Sequence, residues 1–245
     1  MKQKLGGLAM LAAVLITAGC ASIDPAPEPS EEDNFLVFLL AGQSNMAGRG
    51  EVTAADREIL PRIMMLAPDG SWQPAVDPIH YDKPRAGAGL GRSFAKVLTE
   101  QDEDITIGLV PAACGGSPIS TWVPGGYHDQ TESHPYDDAI VRARRALQDG
   151  RLAGILWHQG ESDTRPQRAA LYKERLAELI ERFRRDLDAP EVPFIIGQLG
   201  QFEGKPWNDA RRQVNQAQME IAEEAPYSAF VSSDGLTAKE DNTHF

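Results

Sequence analysis

The chain is 245 residues long, enough for one domain with a sizeable core, since a chain of this size buries roughly 70% of its unfolded surface. With 24 Lys and Arg against 36 Asp and Glu its formal charge is −12, which repels phosphate backbones and anionic headgroups and excludes nucleic acid as an expected partner. Two cysteines in the whole sequence exclude a disulfide-dense scaffold.

At the start, Lys2 and Lys4 precede an apolar run over residues 5–18 that is too short to span a bilayer comfortably, the pattern of a targeting segment. The run ends in Thr17, Ala18, Gly19 and Cys20, which resembles the lipobox of bacterial lipoproteins with Thr where Leu is commoner. That likeness implies removal of residues 1–19 and lipid on Cys20. Ala21 and Ser22, rather than Asp, follow the cysteine, which suits sorting to the outer membrane. The expected product is exported and anchored to a membrane, at the outer membrane or its periplasmic face. With Cys20 acylated, Cys114 is the remaining thiol and no intrachain disulfide can form. Residues 20–34 are acidic and Pro-rich, with too little apolar surface to order themselves, and read as a tether to a domain over residues 35–245.

Residues 35–40 (FLVFLL) form a continuous apolar run of strand length, expected of a strand covered on both faces in a parallel sheet. Residues 48–91 are irregular, rich in Pro, Gly and Asp, and read as an insertion over the site without further assignment. A short helix is predicted over 92–100 and strands over 105–110 and 152–157, with a helix over 136–148 between them. The sharpest periodicity lies within 166–188, where Leu176, Leu179, Ile180, Phe183 and Leu187 recur at three- and four-residue steps among charged residues. A strand over 192–199, a more polar helix over 208–224 and a strand over 228–232 complete the pattern. Strand and helix alternate, so the expected architecture is a three-layer α/β/α sandwich with a mainly parallel sheet of about five strands and ligands at their carboxyl ends.

Candidate chemistry follows those carboxyl ends. Gly42-Gln43-Ser44-Asn45-Met46 comes directly after the first strand, where Gly42 permits a tight turn and a helix beginning at Ser44 aims backbone N–H groups at a developing oxyanion. Read alone, a Ser in that place is as readily a helix cap. The motif is not Gly-x-Ser-x-Gly, which disfavours an ordinary α/β-hydrolase elbow. Asp241 and His244 offer a carboxylate that can reach Nδ1 of the ring while Nε2 faces Ser44, the arrangement that activates a serine hydroxyl, although Asp-x-x-His read alone is more readily a surface pair. Gly115 and Gly116 can bring bare N–H groups to a substrate oxygen, or form a plain turn, and the Gln159 amide can donate a third hydrogen bond, or serve as a packed structural Gln.

Taken together, GQSNMAGRG, VPAACGGSPISTW, WHQGESD and DGLTAKEDNTHF resemble the SGNH-hydrolase superfamily, in its sialate O-acetylesterase and acetyl xylan esterase branch (carbohydrate esterase family 6). The four blocks keep the family's order and span residues 36–245. The resemblance implies a flavodoxin-like fold, no cofactor, and hydrolysis of O-acetyl esters on carbohydrate through an acyl-enzyme. It implies Ser44 as nucleophile, Asp241 and His244 as the rest of the triad, and Ser44, Gly115, Gly116 and Gln159 around the oxyanion hole, with Gln43, Asn45 and Glu161 in support. Gln159 stands where the superfamily usually has Asn. The helix that such proteins carry after the histidine has no counterpart before Phe245, so an edge of the fold is expected to be missing.

Other chemistries fit less well. The histidines stand at His80, His128, His134, His158 and His244, with no His-x-His or His-x-x-x-His pair, so no metal site is expected. Cys114 has no His at a motif-like distance and reads as a small buried thiol. Trp72, Trp122, Tyr127 and Trp157 are candidates for stacking on sugar rings, with Trp122 the best outward one because Pro and Gly follow it. The alternative to an esterase is a glycan-binding surface lipoprotein without catalysis on the same fold.

Overall fold

The structure, a computed structural model, describes residues 34–245. The expected leader, the lipidation site Cys20 and the tether up to residue 33 lie outside the described residues.

The chain enters through β1 (Phe35–Gly42), whose apolar residues divide between two cores. Val37, Leu39 and Ala41 join one cluster, Phe38 and Leu40 the other. That is why the run reads as unbroken rather than alternating: both faces of the strand are covered. After α1 (Ser44–Ala47) come β2 (Ile63–Leu66), β3 (Trp72–Pro74), α2 (Leu90–Gln101), β4 (Thr106–Pro111), α3 (Pro135–Ala146) and β5 (Arg151–His158). The chain ends through α4 (Pro166–Ala169), α5 (Tyr172–Asp186), β6 (Phe194–Gly197), α6 (Asp209–Glu224) and β7 (Ser228–Val231).

One sheet runs β3-β2-β4-β1-β5-β6-β7, parallel except for the antiparallel pairing of β3 with β2. Helices α3, α5 and α6 cover one face, where Tyr136, Ile140, Leu176, Leu179, Phe183 and Val214 meet β1, β5 and β6. On the other face α2 packs Ala95, with Phe94 and Leu98 partly buried, over Ile63, Ile107 and Leu109. This is the expected three-layer α/β/α sandwich, with seven strands rather than about five. The extra two come from residues 48–91: Ile63, Met65 and Leu66 are buried and extend the sheet past β4, so part of the insertion forms the sheet edge. Their runs are four and three residues long, too short to stand out from irregular sequence.

From β1 the chain winds towards β2 and from β4 it crosses to β5, so neighbouring strands lead in opposite directions and a crevice opens at their carboxyl ends. Among the described residues no helix is long and apolar enough to cross a membrane.

Candidate active site

Gly42 ends β1 with φ +131°, and a Cβ there would lie 2.2 Å from the His158 carbonyl oxygen at the end of β5. The next residue donates its backbone N–H to that oxygen at 2.9 Å, so the turn after β1 is fastened to β5 at the point where a side chain on residue 42 would forbid it. Ser44 is the first residue of α1 and is 5% exposed. It does not cap the helix; Gln43 holds the cap position and makes no side-chain cap bond.

The Ser44 Oγ lies 2.8 Å from His244 Nε2, and His244 Nδ1 lies 2.6 Å from Asp241 Oδ2. Asp241 Oδ1 accepts the backbone N–H groups of Thr243 at 2.9 Å and His244 at 3.0 Å, so one carboxylate both folds the turn and orients the ring. Slight burial works to raise the Asp241 carboxyl, but the hydrogen bonds from the His244 ring and from these two N–H groups outweigh it and bring it down to about 2. The carboxylate is therefore ionised across the neutral range, and it favours the tautomer with hydrogen on Nδ1 and a lone pair on Nε2 facing Ser44.

Asn45 ties this turn to the rest. Its Nδ2 donates to Glu161 Oε1 at 2.6 Å and to the Thr243 carbonyl at 3.0 Å, linking the serine helix, the loop after β5 and the histidine turn. Gln43 Oε1 accepts from Gln159 Nε2 at 3.2 Å, from Ser162 N at 3.3 Å and from Gly160 N at 3.4 Å. Ser162 Oγ in turn donates to the Gly116 carbonyl at 2.8 Å.

Two of the expected oxyanion donors are otherwise engaged. Gln159 is fully buried, and its Nε2 meets Asp163 Oδ2 at 2.6 Å, the Ser117 carbonyl at 3.0 Å and Gln43. An amide carries two hydrogens, so three acceptors leave none for a substrate, and Gln159 is a strut beneath the site. Tyr172 Oη, 3.0 Å from Gln159 Oε1, and Gln218 Nε2, 2.8 Å from the Gln159 carbonyl, complete that buried cluster. The Gly115 N–H donates to Asp82 Oδ2 at 2.8 Å, which leaves Ser44 and Gly116 of the expected set.

Asp82 and its partner were invisible to sequence reasoning because they sit in the unassigned insertion. Arg49 Nη2 meets Asp82 Oδ2 at 2.9 Å, both side chains being at most 5% exposed, and a Cβ on Gly115 would stand 2.4 Å from the same Nη2. The Lys239 ammonium donates to the Arg49 carbonyl while the Lys239 N–H donates to the His244 carbonyl, so the pair braces the Gly115 turn and the histidine turn at once.

Most of the remaining candidates are buried in the core. Trp122, expected to point outward, is 1% exposed, packs edge-on against Trp157 at 5.0 Å and donates to Ser117 Oγ. Trp157 is fully buried, and Trp72 packs on Phe35. Tyr127 is exposed beside His134. Burial pushes the Cys114 thiol up, away from the reactive thiolate. His158 is buried and held below the usual imidazole range by that burial. No three His, Cys, Asp or Glu side chains among the described residues are placed to hold a metal ion.

The chain is similar to known carbohydrate esterases. Residues 34–245 match the family model described as carbohydrate esterase, sialic acid-specific acetylesterase. A probable carbohydrate esterase from Arabidopsis thaliana is 32% identical over a 248-residue alignment covering 91% of this chain and 90% of that protein. The X-ray structure of an Arabidopsis thaliana protein superposes with a TM-score of 0.75 at 30% identity, over 86% of this chain and 90% of that one. A carbohydrate acetylesterase from Xanthomonas citri shares the fold with a TM-score of 0.65 at 22% identity, over 84% of this chain and 52% of that longer one.

Proposed function

The chain belongs to the sialic acid-specific acetylesterase family of carbohydrate esterases and is a carboxylic ester hydrolase, and from this premise we propose that it removes O-acetyl groups from carbohydrate through a Ser44-His244-Asp241 triad. The observation that carries this reading is the unbroken line of contacts from Asp241 Oδ2 to His244 Nδ1 and from His244 Nε2 to Ser44 Oγ, at 2.6 and 2.8 Å. Each distance suits a proton moving from serine to imidazole as the serine attacks.

In the proposed reaction the Ser44 oxygen adds to the acetyl carbonyl carbon and its proton passes to His244 Nε2. The tetrahedral oxyanion is met by backbone N–H groups of Ser44 and Gly116. Collapse breaks the bond to the sugar oxygen, which takes the proton from His244 and leaves as the free alcohol. Water then gives a proton to His244 and attacks the acetyl-enzyme, releasing acetate and restoring Ser44. Asp241 keeps its negative charge throughout and stabilises the imidazolium between the two proton transfers. No cofactor enters these steps.

The test has two parts. Purified protein is offered p-nitrophenyl acetate and a panel of acetylated glycans including O-acetylated sialic acid and acetylated xylan, with acetate release as the readout. Ser44→Ala is expected to keep the circular dichroism spectrum and lose about a thousandfold or more in kcat. A fluorophosphonate is expected to label the wild type once, at Ser44. Labelling at another serine, or near-normal rates in Ser44→Ala, overturns the triad.

We further propose that the enzyme is exported and held at a membrane by lipid on Cys20, on the strength of the charged start, the apolar run over 5–18 and the small residues before the cysteine.

A further inference from the structure

The loop between β6 and α6, which the proposed reaction does not use, forms with Arg212 of α6 an open cavity of about 430 Å³ lined by Gln201, Phe202, Glu203, Pro206, Trp207 and Arg212. We propose that this cavity is a second sugar subsite, holding a unit of the glycan next to the one that carries the acetyl group. The inference rests on the carbohydrate reading above.

Three observations point there. The first is location: the loop leaves the carboxyl end of β6 and is pinned to the histidine turn from several sides. The Phe202 ring packs edge-on against Phe245 at 5.4 Å, Lys205 Nζ donates to Thr243 Oγ1 at 2.8 Å, and a Cβ on Gly204 would lie 2.3 Å from Asn242 Oδ1. A glycan whose acetyl group reaches Ser44 therefore has this loop as a wall beside it.

The second is preorganisation. Trp207 Nε1 donates to the Gly200 carbonyl at 2.9 Å, Lys205 N donates to the Phe202 carbonyl at 3.0 Å, and Asn208 Oδ1 caps α6 through Arg211 N at 2.8 Å. The Arg211 guanidinium lies 6.0 Å over the Trp207 ring, so the indole is set in angle by a hydrogen bond and by a cation. A platform held this way loses little entropy when a ligand settles on it.

The third is chemistry. A pyranose presents flat C–H faces that pack on aromatic rings and a rim of hydroxyls that want charged or amide partners. Half-buried Trp207 offers the ring, and exposed Gln201, Glu203 and Arg212 offer both donors and acceptors around it. The volume lies within the roughly 300–1,000 Å³ of small-molecule sites.

The experiment compares O-acetylated xylo-oligosaccharides and O-acetylated sialyllactose, each beside its own acetylated monosaccharide, with p-nitrophenyl acetate as a reporter of the triad alone. Wild type is expected to prefer the longer substrate. Trp207→Ala is expected to lower kcat/KM on it about tenfold, through KM, while the monosaccharide and p-nitrophenyl acetate change less than about twofold. Glu203→Ala, on the solvent side of the loop, is expected to give roughly a threefold loss with the same selectivity and guards against a loop that unravels without the indole. Equal losses on all substrates in both variants, or no loss on the longer one, overturn the subsite. Wild-type hydrolysis of acetylated monosaccharides without preference for length overturns it too, yet leaves the esterase reading standing. Hydrolysis of p-nitrophenyl acetate alone, with no acetylated sugar accepted, overturns the carbohydrate reading itself and the subsite with it.

Discussion

Asp241 gives one carboxylate oxygen to the backbone of its own turn and the other to His244, and its charge persists because the hydrogen bonds that hold it also bring its carboxyl down to about 2. The ring it orients is the one whose Nε2, 2.8 Å from Ser44 Oγ, is proposed to take the serine proton. Asp241→Asn removes the anion that holds the ring tautomer and stabilises the imidazolium, so kcat/KM is expected to fall by about 10³ to 10⁴. If His158→Ala abolished hydrolysis while Asp241→Asn left it near normal, the base would belong to the loop after β5. A second carboxyl behaves oppositely. Burial raises Asp77 to about 6 although the Arg92 guanidinium and the Gly89 and Ile79 N–H groups pull it down. The folded state then holds a proton that the unfolded chain, at 3.8, has given up. Asp77 is thus harmless below about pH 4 and costs stability as pH rises from there through about 6, by roughly 2 kcal/mol at pH 7.5 once the shift, worth about 3 kcal/mol, is discounted for solvent screening. Asp77→Asn is expected to raise the melting temperature by about 4–8 °C at pH 7.5 and hardly at all at pH 4. A lower melting temperature at pH 7.5 would mean that its attraction to Arg92 outweighs its burial.

The junction of β1 with β5 sets the serine. Gly42 pairs with His158 in register, and the space that a Cβ would need is filled by the His158 carbonyl. Gly42→Ala is expected to keep the sheet, since the rest of β1 is unaltered, but to push the turn outward and cost about a hundredfold in kcat/KM on p-nitrophenyl acetate. Wild-type turnover in that variant would show that Ser44 tolerates a looser junction. Strands β1, β4, β5, β6 and β7 and the helices α2, α3, α5 and α6 were legible in the sequence because each lies in a clear period or in a mainly apolar run of five residues or more. In α5, Leu176, Leu179, Ile180 and Phe183 are buried just where the three- and four-residue steps predicted a core face. Strands β2 and β3 were not legible: their short runs gain strand character only by pairing with β4 and with each other.

At the scale of the whole molecule, the site exists because the order β4-β1-β5-β6 brings the loops after four strands to one rim. Localisation belongs to this scale as well. Cys20→Ser is expected to shift the enzyme from the membrane fraction to the soluble one without changing kcat/KM, because the proposed anchor precedes the expected tether and contributes no proposed reacting group. An unmodified mature terminus at Ala21 in mass spectrometry would remove the anchor. The sequence by itself determined the sandwich, the positions of Ser44, Asp241 and His244 and the kind of chemistry they suggest, since local period and motif order need no neighbours to be read. Only the tertiary structure decided which hydrogen-bond donors stay free. Gln159 looked like an oxyanion donor until Asp163, Gln43 and the Ser117 carbonyl were seen to occupy its amide, and Gly115 looked open until Asp82 took its N–H. Trp207, unremarked in sequence, lines a cavity because the loop after β6 folds onto the histidine turn. A donor's availability and an aromatic ring's exposure depend on what the rest of the chain places against them, and those partners stand tens to hundreds of residues away.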